Sequence, residues 1–205
     1  MNTADSIKEA VRVMREGGVI LYPTDTIWGI GCDATNPKAV ARIYDIKRRP
    51  DSKSLVLLAA DMDMVARYVR RIPDIAIDLV EVNDRPMTII YPEALATEAP
   101  QEGQEPVADH RRMAYNAVAE DGSVGIRVPM ADFCKELASR LGRPLVSTSA
   151  NVSGEPSPKK FKDIPEEIRG AVDYILSPSL ERESTGLASQ IIKVGMDSSV
   201  EIIRQ

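Results

Sequence analysis

The sequence predicts an α/β fold, a largely parallel or mixed sheet flanked by helices. Three observations predict it. Short continuous apolar runs of strand length end at Pro, Gly or Asn, and stripes of helical period lie between them. The composition, 43% hydrophobic and 28% charged over 205 residues, is that of a chain that buries a sizeable core. Alternation of the two patterns along the chain is what lays helices on the faces of a sheet.

The segment Asp5 to Glu16 places Ile7, Ala10, Val11 and Met14 on one helical face, and Gly17-Gly18 stops it. Val19 to Tyr22 is an apolar run suited to a strand buried on both faces, and Pro23 ends it. Asn36-Pro37 reads as N-cap and first residue of a helix carrying Val40, Ile43, Tyr44 and Lys47. A strand follows at Leu55 to Ala59. Asp61 caps a helix with Val65, Tyr68 and Val69 inward, and Pro73 to Val82 makes another with Ile75, Leu79 and Val82 inward. Met87 to Tyr91 is a strand.

From Pro92 to Asp121 the pattern breaks. The acidic, Pro- and Gln-containing stretch Glu98 to Glu105 cannot bury enough apolar surface to pack well. The expectation is a mobile acidic insertion at about 93–121 inside a single domain spanning 1–205. Beyond it, Val124 to Val128 is a strand, Ala131 to Leu141 a helix stopped by Gly142, and Leu145 to Thr148 a strand. After the loop Ser149 to Lys160 come a short helix around Glu166 to Arg169 and strands at Tyr174 to Leu176, Gln190 to Val194 and Val200 to Ile203. No internal repeat appears, and neither composition shift separates two cores.

Several function classes are excluded by what is scarce. Met1 to Glu16 carries acidic residues and no apolar block of signal-peptide length, and no stretch reaches the roughly 18 apolar residues of a membrane span. A cytoplasmic protein without a membrane contact is expected. Cys32 and Cys134 lie far apart with no CxxC pattern, which disfavours a disulfide framework or a zinc site. The net charge of −5 argues against a protein that coats nucleic acid. The single histidine, His110, sits in a polar stretch and reads as a surface residue, which leaves triad chemistry without a base.

Three loops could carry chemistry. Pro23-Thr24-Asp25-Thr26 follows a buried strand, where open α/β sheets bind ligands, although a turn satisfying its own backbone explains the same residues. Lys47-Arg48-Arg49-Pro50-Asp51-Ser52-Lys53 gathers four cations, enough to hold the phosphates of a nucleoside triphosphate. Solvated cations at a helix C-terminus are the competing account. Ser147 to Gly154 offers hydroxyls, an amide and small residues that let backbone N–H groups approach an anion, against the alternative of a polar loop bonded to itself. No GxxxxGK[ST] occurs, and Gly29-Ile30-Gly31 lacks the third glycine of a dinucleotide fingerprint.

The segments YPTDTIWGIGCDA, IYDIKRRPDSKSL, RPMTIIYP, VGIRVP and STSANVSGEPSP, in this order, resemble the YrdC/Sua5/TsaC family of threonylcarbamoyl-AMP synthases in its short, single-domain form. Its KxR element corresponds to Lys47-Arg48-Arg49 and its SxN element to Ser149-Ala150-Asn151. The resemblance implies a twisted, open, mixed α/β sheet flanked by helices around a concave basic cavity. It also implies that ATP, L-threonine and bicarbonate or carbon dioxide become threonylcarbamoyl-AMP and pyrophosphate, for the t6A modification of tRNA. Mg2+ is expected with the ATP, and downstream threonylcarbamoyl-transfer proteins as partners. Thr26, Arg127, Ser147 and Ser189 would hold L-threonine. Lys47, Arg49, Lys53, Ser123, Ser149, Asn151, Ser157 and Arg204 would surround ATP, with Lys47 and Arg49 stabilising the phosphoryl charge.

The chain departs from its relatives in two places. Where some carry a histidine near the amino-acid pocket, the strand here reads Leu55-Val56-Leu57-Leu58, and the stretch after Pro92 is longer and more acidic. Two other readings share the fold: an RNA-binding module contacting tRNA or other RNA, and a paralogue acting on a different carbamoyl or nucleotide substrate.

Overall fold

The computed structural model describes residues 3–49 and 55–205. In chain order it begins α1 (Thr3–Arg15), β1 (Ile20–Tyr22), β2 (Gly29–Gly31), α2 (Pro37–Lys47) and β3 (Val56–Leu58). Then come α3 (Met62–Tyr68), α4 (Asp74–Val82), β4 (Met87–Tyr91), β5 (Val124–Arg127) and α5 (Asp132–Leu141). The last elements are β6 (Leu145–Val146), β7 (Thr148–Ser149), α6 (Glu166–Ala171), β8 (Tyr174–Ile175), β9 (Gln190–Val194) and β10 (Val200–Arg204).

The predicted helix ends hold for local reasons. Gly17 takes a left-handed φ of +84°, and the N–H groups of Gly17 and Gly18 donate to the carbonyls of Met14 and Val13. Asn36 accepts from the N–H groups of Lys38 and Ala39, with Pro37 at the first helical position, and Asp61 accepts from Met64 N–H. The predicted face of α1 is buried: Ile7, Ala10 and Met14 are fully covered as the helix packs on α5 and against β1 and β8. Each large apolar side chain buried in this way contributes about 1.5–3 kcal/mol.

The strands form two mixed sheets where the sequence suggested one. The first runs β7-β2-β1-β8 and the second β10-β9-β4-β5-β3-β6. The apolar run Leu145 to Thr148 is divided between them: β6 pairs with β3 in the second sheet and β7 with β2 in the first. Ser147 is the residue at which the chain changes sheets. The second unexpected feature is β2 itself, whose Gly29-Ile30-Gly31 has little strand propensity. Glycine is required there by close approach, since a Cβ on Gly31 would lie 2.6 Å from the Val146 carbonyl and 2.7 Å from Tyr22 Cε1.

Two further expectations are corrected. In α4 Ile75 and Leu79 pack against the core as expected, beside the fully buried Ala76, while Val82, the last residue of the helix, is 79% exposed. The segment after Pro92 also packs more than its composition suggests. Met113, Ala114 and Ala117 are fully buried, and backbone bonds join Leu95 to Tyr68, Thr97 to Met113 and Met113 to Leu95. Tyr44 donates to the Asn116 carbonyl, tying the turn Tyr115–Ala117 to α2. The polar stretch from Glu98 to Arg112 is mostly exposed, yet it too is held to the body, by Tyr68 donating to the His110 carbonyl at 2.7 Å and by Lys38 paired with Glu105.

The tight seam at Gly31 predicts that Gly31→Ala lowers stability by about 1–3 kcal/mol. Gly170→Ala, at a helical position with open space around the new Cβ, leaves stability unchanged or raises it by up to about 1 kcal/mol. Urea unfolding of the two variants beside the parent checks the contrast.

Candidate functional site

Between the two sheets lies a cavity of about 370 Å³, within the range typical of small-molecule sites. The larger sheet supplies its floor. By register, Val56 of β3, Gly125 of β5 and Ile90 of β4 form one cross-strand row. The next row, one pleat repeat along, runs from Arg127 of β5 through Thr88 of β4 and Ile191 of β9 to Arg204 of β10. The smaller sheet and its loops supply the opposite wall, with Thr24, Thr26, Trp28, Gly29, Thr148 and Ser149.

Eight of the predicted residues line this one cavity: Thr26, Arg49, Arg127, Ser147, Ser149, Ser157, Ser189 and Arg204. Among the described residues three arginines and no carboxylate reach its wall, a charge pattern that favours an anionic ligand. Lys53 lies outside the described residues.

Three other predicted residues are placed off the wall. Lys47 is only 2% exposed, and its ammonium group donates to the backbone carbonyls of Ser149 and, at 2.7 Å, Asn151. It clamps the Ser147 to Gly154 loop from beneath. Asn151 is buried and donates its amide to the Val152 and Glu155 carbonyls, closing the following turn. Ser123 shares the strand face of Gly125 and Arg127 but sits beyond the rim, with its hydroxyl and N–H both given to Asp121, whose carboxyl they hold down at about 2.

The KxR spacing now has a structural cause. Lys47 ends α2 facing inward, and Arg48 takes a left-handed φ of +49°, sending its side chain outward to Glu167 at 2.7 Å. Arg49 is thereby turned back towards the cavity. Burial lowers the pKa of its guanidinium, which stays charged at neutral pH. Burial first, and the Arg49 charge second, push Lys47 down to about 8, while the carbonyl acceptors around it favour its charged form.

Sequence reasoning missed the pairing of Arg127 with Asp25. Both side chains are almost fully buried; Arg127 Nη1 donates to Asp25 Oδ1, and Asp25 Oδ2 accepts from Met130 N–H at 2.9 Å. The pair joins the loop after β1 to the end of β5, so it spans the two sheets. Also missed were Trp28, whose indole donates to Glu181 at 2.6 Å and packs on Phe161, and Thr88, discussed below. The signal for Asp25 was present in its loop, but nothing in the sequence names its partner. The Thr24 hydroxyl organises the same loop, contacting Thr26 Oγ1 at 2.7 Å and donating to the Ile27 carbonyl at 2.8 Å.

An arginine-lined cleft at the junction of two mixed sheets, walled by hydroxyl-bearing loops, defines an α/β protein built to bind small anionic ligands. A family model for Sua5, yciO and yrdC, described as "Telomere recombination", matches residues 12–205. The chain belongs to this family. It is 31% identical to a threonylcarbamoyl-AMP synthase of Stenotrophomonas maltophilia over 89% of both chains. It is 33% identical to one of Pseudomonas aeruginosa over 83% of this chain and 84% of the other. Among solved structures, that of P. abyssi Sua5 complexed with L-threonine superposes with a TM-score of 0.74 at 25% identity. The match covers 95% of this chain and 52% of that one, so this chain spans about half the length of the P. abyssi protein.

Two outcomes follow from the buried charges. Asp25→Ala strands the Arg127 guanidinium in the interior and costs about 3–5 kcal/mol, measurable as a lowered urea midpoint. For Lys47 the folded pKa of about 8 lies below the unfolded value of about 10.4, so the unfolded chain holds more protons between those pH values. Stability of the parent relative to Lys47→Met therefore rises from pH 8 to pH 10, read by urea unfolding at each pH.

Proposed function

We propose that this chain is an L-threonylcarbamoyl-AMP synthase, supplying the activated group for t6A modification of tRNA. One observation carries the reading: eight residues that the family pattern assigns to L-threonine or to ATP converge on one cavity from five separate stretches of chain. The names of the relatives point to the same reaction, and the threonine complex of P. abyssi Sua5 points to the same amino acid.

In this reading Arg127 holds the threonine carboxylate, fixed in place by Asp25. Thr26, Ser147 and Ser189 surround the rest of the amino acid, and Arg49, Ser149, Ser157 and Arg204 hold the nucleotide. The threonine amine forms a C–N bond to carbon dioxide and loses a proton; the resulting carbamate oxygen attacks the α-phosphorus, and the bond to pyrophosphate breaks. No side chain becomes covalently bound. Holding the three reactants in line supplies roughly 7–11 kcal/mol of the barrier, and an arginine at the developing phosphoryl charge about 3–4 kcal/mol. Lys47 acts indirectly, by holding the Ser149 and Asn151 carbonyls from beneath the loop.

Magnesium is read here as the counter-ion of ATP. Among the described residues no group of three or more His, Cys, Asp or Glu side chains is placed to hold a metal ion, and in this reading the phosphates themselves carry it. Bicarbonate or carbon dioxide, ATP and L-threonine are the proposed substrates, with threonylcarbamoyl-transfer proteins and tRNA downstream. The setting is the cytoplasm; no helix among the described residues is long and apolar enough to cross a membrane.

The test is pyrophosphate release from ATP with magnesium and bicarbonate, with and without L-threonine. Release that depends on threonine and bicarbonate, with a threonylcarbamoyl-AMP mass in the products, is expected; absence of threonine-dependent release from folded protein refutes the reading. Arg127→Ala raises the KM for L-threonine by tenfold or more, on the order of a lost charge-assisted pair, while Arg49→Ala raises the KM for ATP.

A further inference from the structure

The floor of the cavity contains one polar side chain that the family pattern leaves without a role. Thr88 lies on β4 in the cross-strand row between Arg127 on one side and Ile191 and Arg204 on the other. It is fully buried as a residue and yet forms part of the cavity wall. Its hydroxyl is 2.8 Å from the hydroxyl of Ser189, which is also buried and also on the wall.

The surroundings fix this pair. The Ser189 carbonyl accepts from Arg204 Nε at 3.0 Å and Nη2 at 2.7 Å, which sets its backbone. The Ser189 hydroxyl has two contacts, Thr88 Oγ1 at 2.8 Å and Arg204 Nη2 at 3.5 Å, and the closer one, to Thr88, orients it. Ile90, Ile191 and Gly125 pave the floor around them with apolar surface, and the Thr88 methyl lies 3.4 Å from where a Cβ on Gly125 would stand. Two hydroxyls that bond each other have donor and acceptor capacity left over, and the cavity is where a partner can be found.

The spacing selects which part of an amino acid meets them. Thr88 lies one strand over from Arg127 and Ser189 at the start of the strand beyond it, with adjacent strands about 4.8 Å apart, so the pair is within reach of the side chain of an amino acid whose carboxylate is on that arginine. We propose that Thr88 is a specificity-determining positioning residue: by holding Ser189, it builds the hydroxyl pair that recognises the substrate's side-chain hydroxyl. The inference rests on the synthase reading above and deepens it. A site that hydrogen-bonds a substrate hydroxyl rejects the analogue lacking it, because its own polar groups are left unpaired.

The measurement is kcat/KM for L-threonine and for its isostere L-valine, with KM for ATP recorded alongside, in the parent, Thr88→Val and Thr88→Ser proteins. Thr88→Val is expected to lower kcat/KM for L-threonine about tenfold, mainly through KM, and to narrow the threonine-over-valine preference by a similar factor. KM for ATP stays within twofold. Thr88→Ser, which retains the hydroxyl, keeps the preference within threefold of the parent. In a Ser189→Ala background Thr88→Val has little additional effect, because Thr88 acts through that serine. Should Thr88→Val fail to fold, Thr88→Ala takes its place.

An unchanged preference in Thr88→Val overturns the proposal, as does an equal collapse in the valine and serine variants, which would make the role one of packing. Both results require a parent that turns over with threonine. A folded parent without threonine-dependent turnover sinks the synthase reading instead, and the two failures are therefore distinct.

Discussion

The buried contact between Arg127 and Asp25 is the constraint on which the site depends. Moving two charges out of water costs several kcal/mol per ion, so such a pair persists only where geometry and further hydrogen bonds offset that cost. Here Asp25 gains a second donor from Met130 N–H, and the pair ties a loop of the smaller sheet to a strand of the larger one. The pair therefore does two things. It fixes the distance between the walls of the cavity, and it fixes the direction in which a guanidinium faces the ligand. An arginine held by a protein carboxylate also brings less net charge to the cavity than a lone one. Arg49 and Arg204 are the other two cations on the wall.

A second anchor acts on the facing loop. The amine of Lys47 reaches the Ser149 and Asn151 carbonyls, and Ser153 N–H donates to the Lys47 carbonyl at 2.8 Å. The end of α2 and the serine-rich loop are thus stitched through both side chain and backbone. This explains why a cation and an arginine two residues apart serve one site from two depths. The lysine is structural in its contacts, the arginine reaches the wall, and the left-handed Arg48 between them makes the change of direction.

Much of this was legible in the sequence, and the rest failed for identifiable reasons. Caps and stops such as Asn36-Pro37, Asp61 and Gly142 act within a few residues, so local chemistry reveals them. The apolar runs marked nearly every strand. The division of Leu145 to Thr148 between two sheets was invisible because pairing partners far along the chain, in β3 for one half and β2 for the other, decide it. The strand Gly29–Gly31 was invisible for the opposite reason: its glycines are chosen for the closeness of Val146 and Tyr22 and carry no strand propensity of their own. Composition misled at Met113 to Ala117, where three small or flexible apolar residues inside a polar stretch suffice to fasten it. In the site, the pattern found eight wall residues, but it could not separate a wall residue from a supporting one. Lys47, Asn151 and Ser123 look alike on paper and differ only in which carbonyl or carboxylate they meet in space.

The same contrast bears on how such a site can work. The chain carries a net charge of −5 and a single histidine that lies away from the cavity, so neither overall charge nor a titrating base supplies the chemistry. What remains is placement: three arginines, a ring of serines and threonines, and a floor of Val56, Ile90 and Ile191 that keeps the polar groups from being solvated on every side. Fixed dipoles and charges in a partly enclosed site need little reorganisation as charge develops, and that is the larger part of what an enzyme without a covalent step can contribute. The two anchors matter for this reason. A guanidinium free to swing would have to be ordered at the moment of reaction, whereas one already paired across the sheets has been ordered by folding, and the cost of ordering it has been met by the stability of the core.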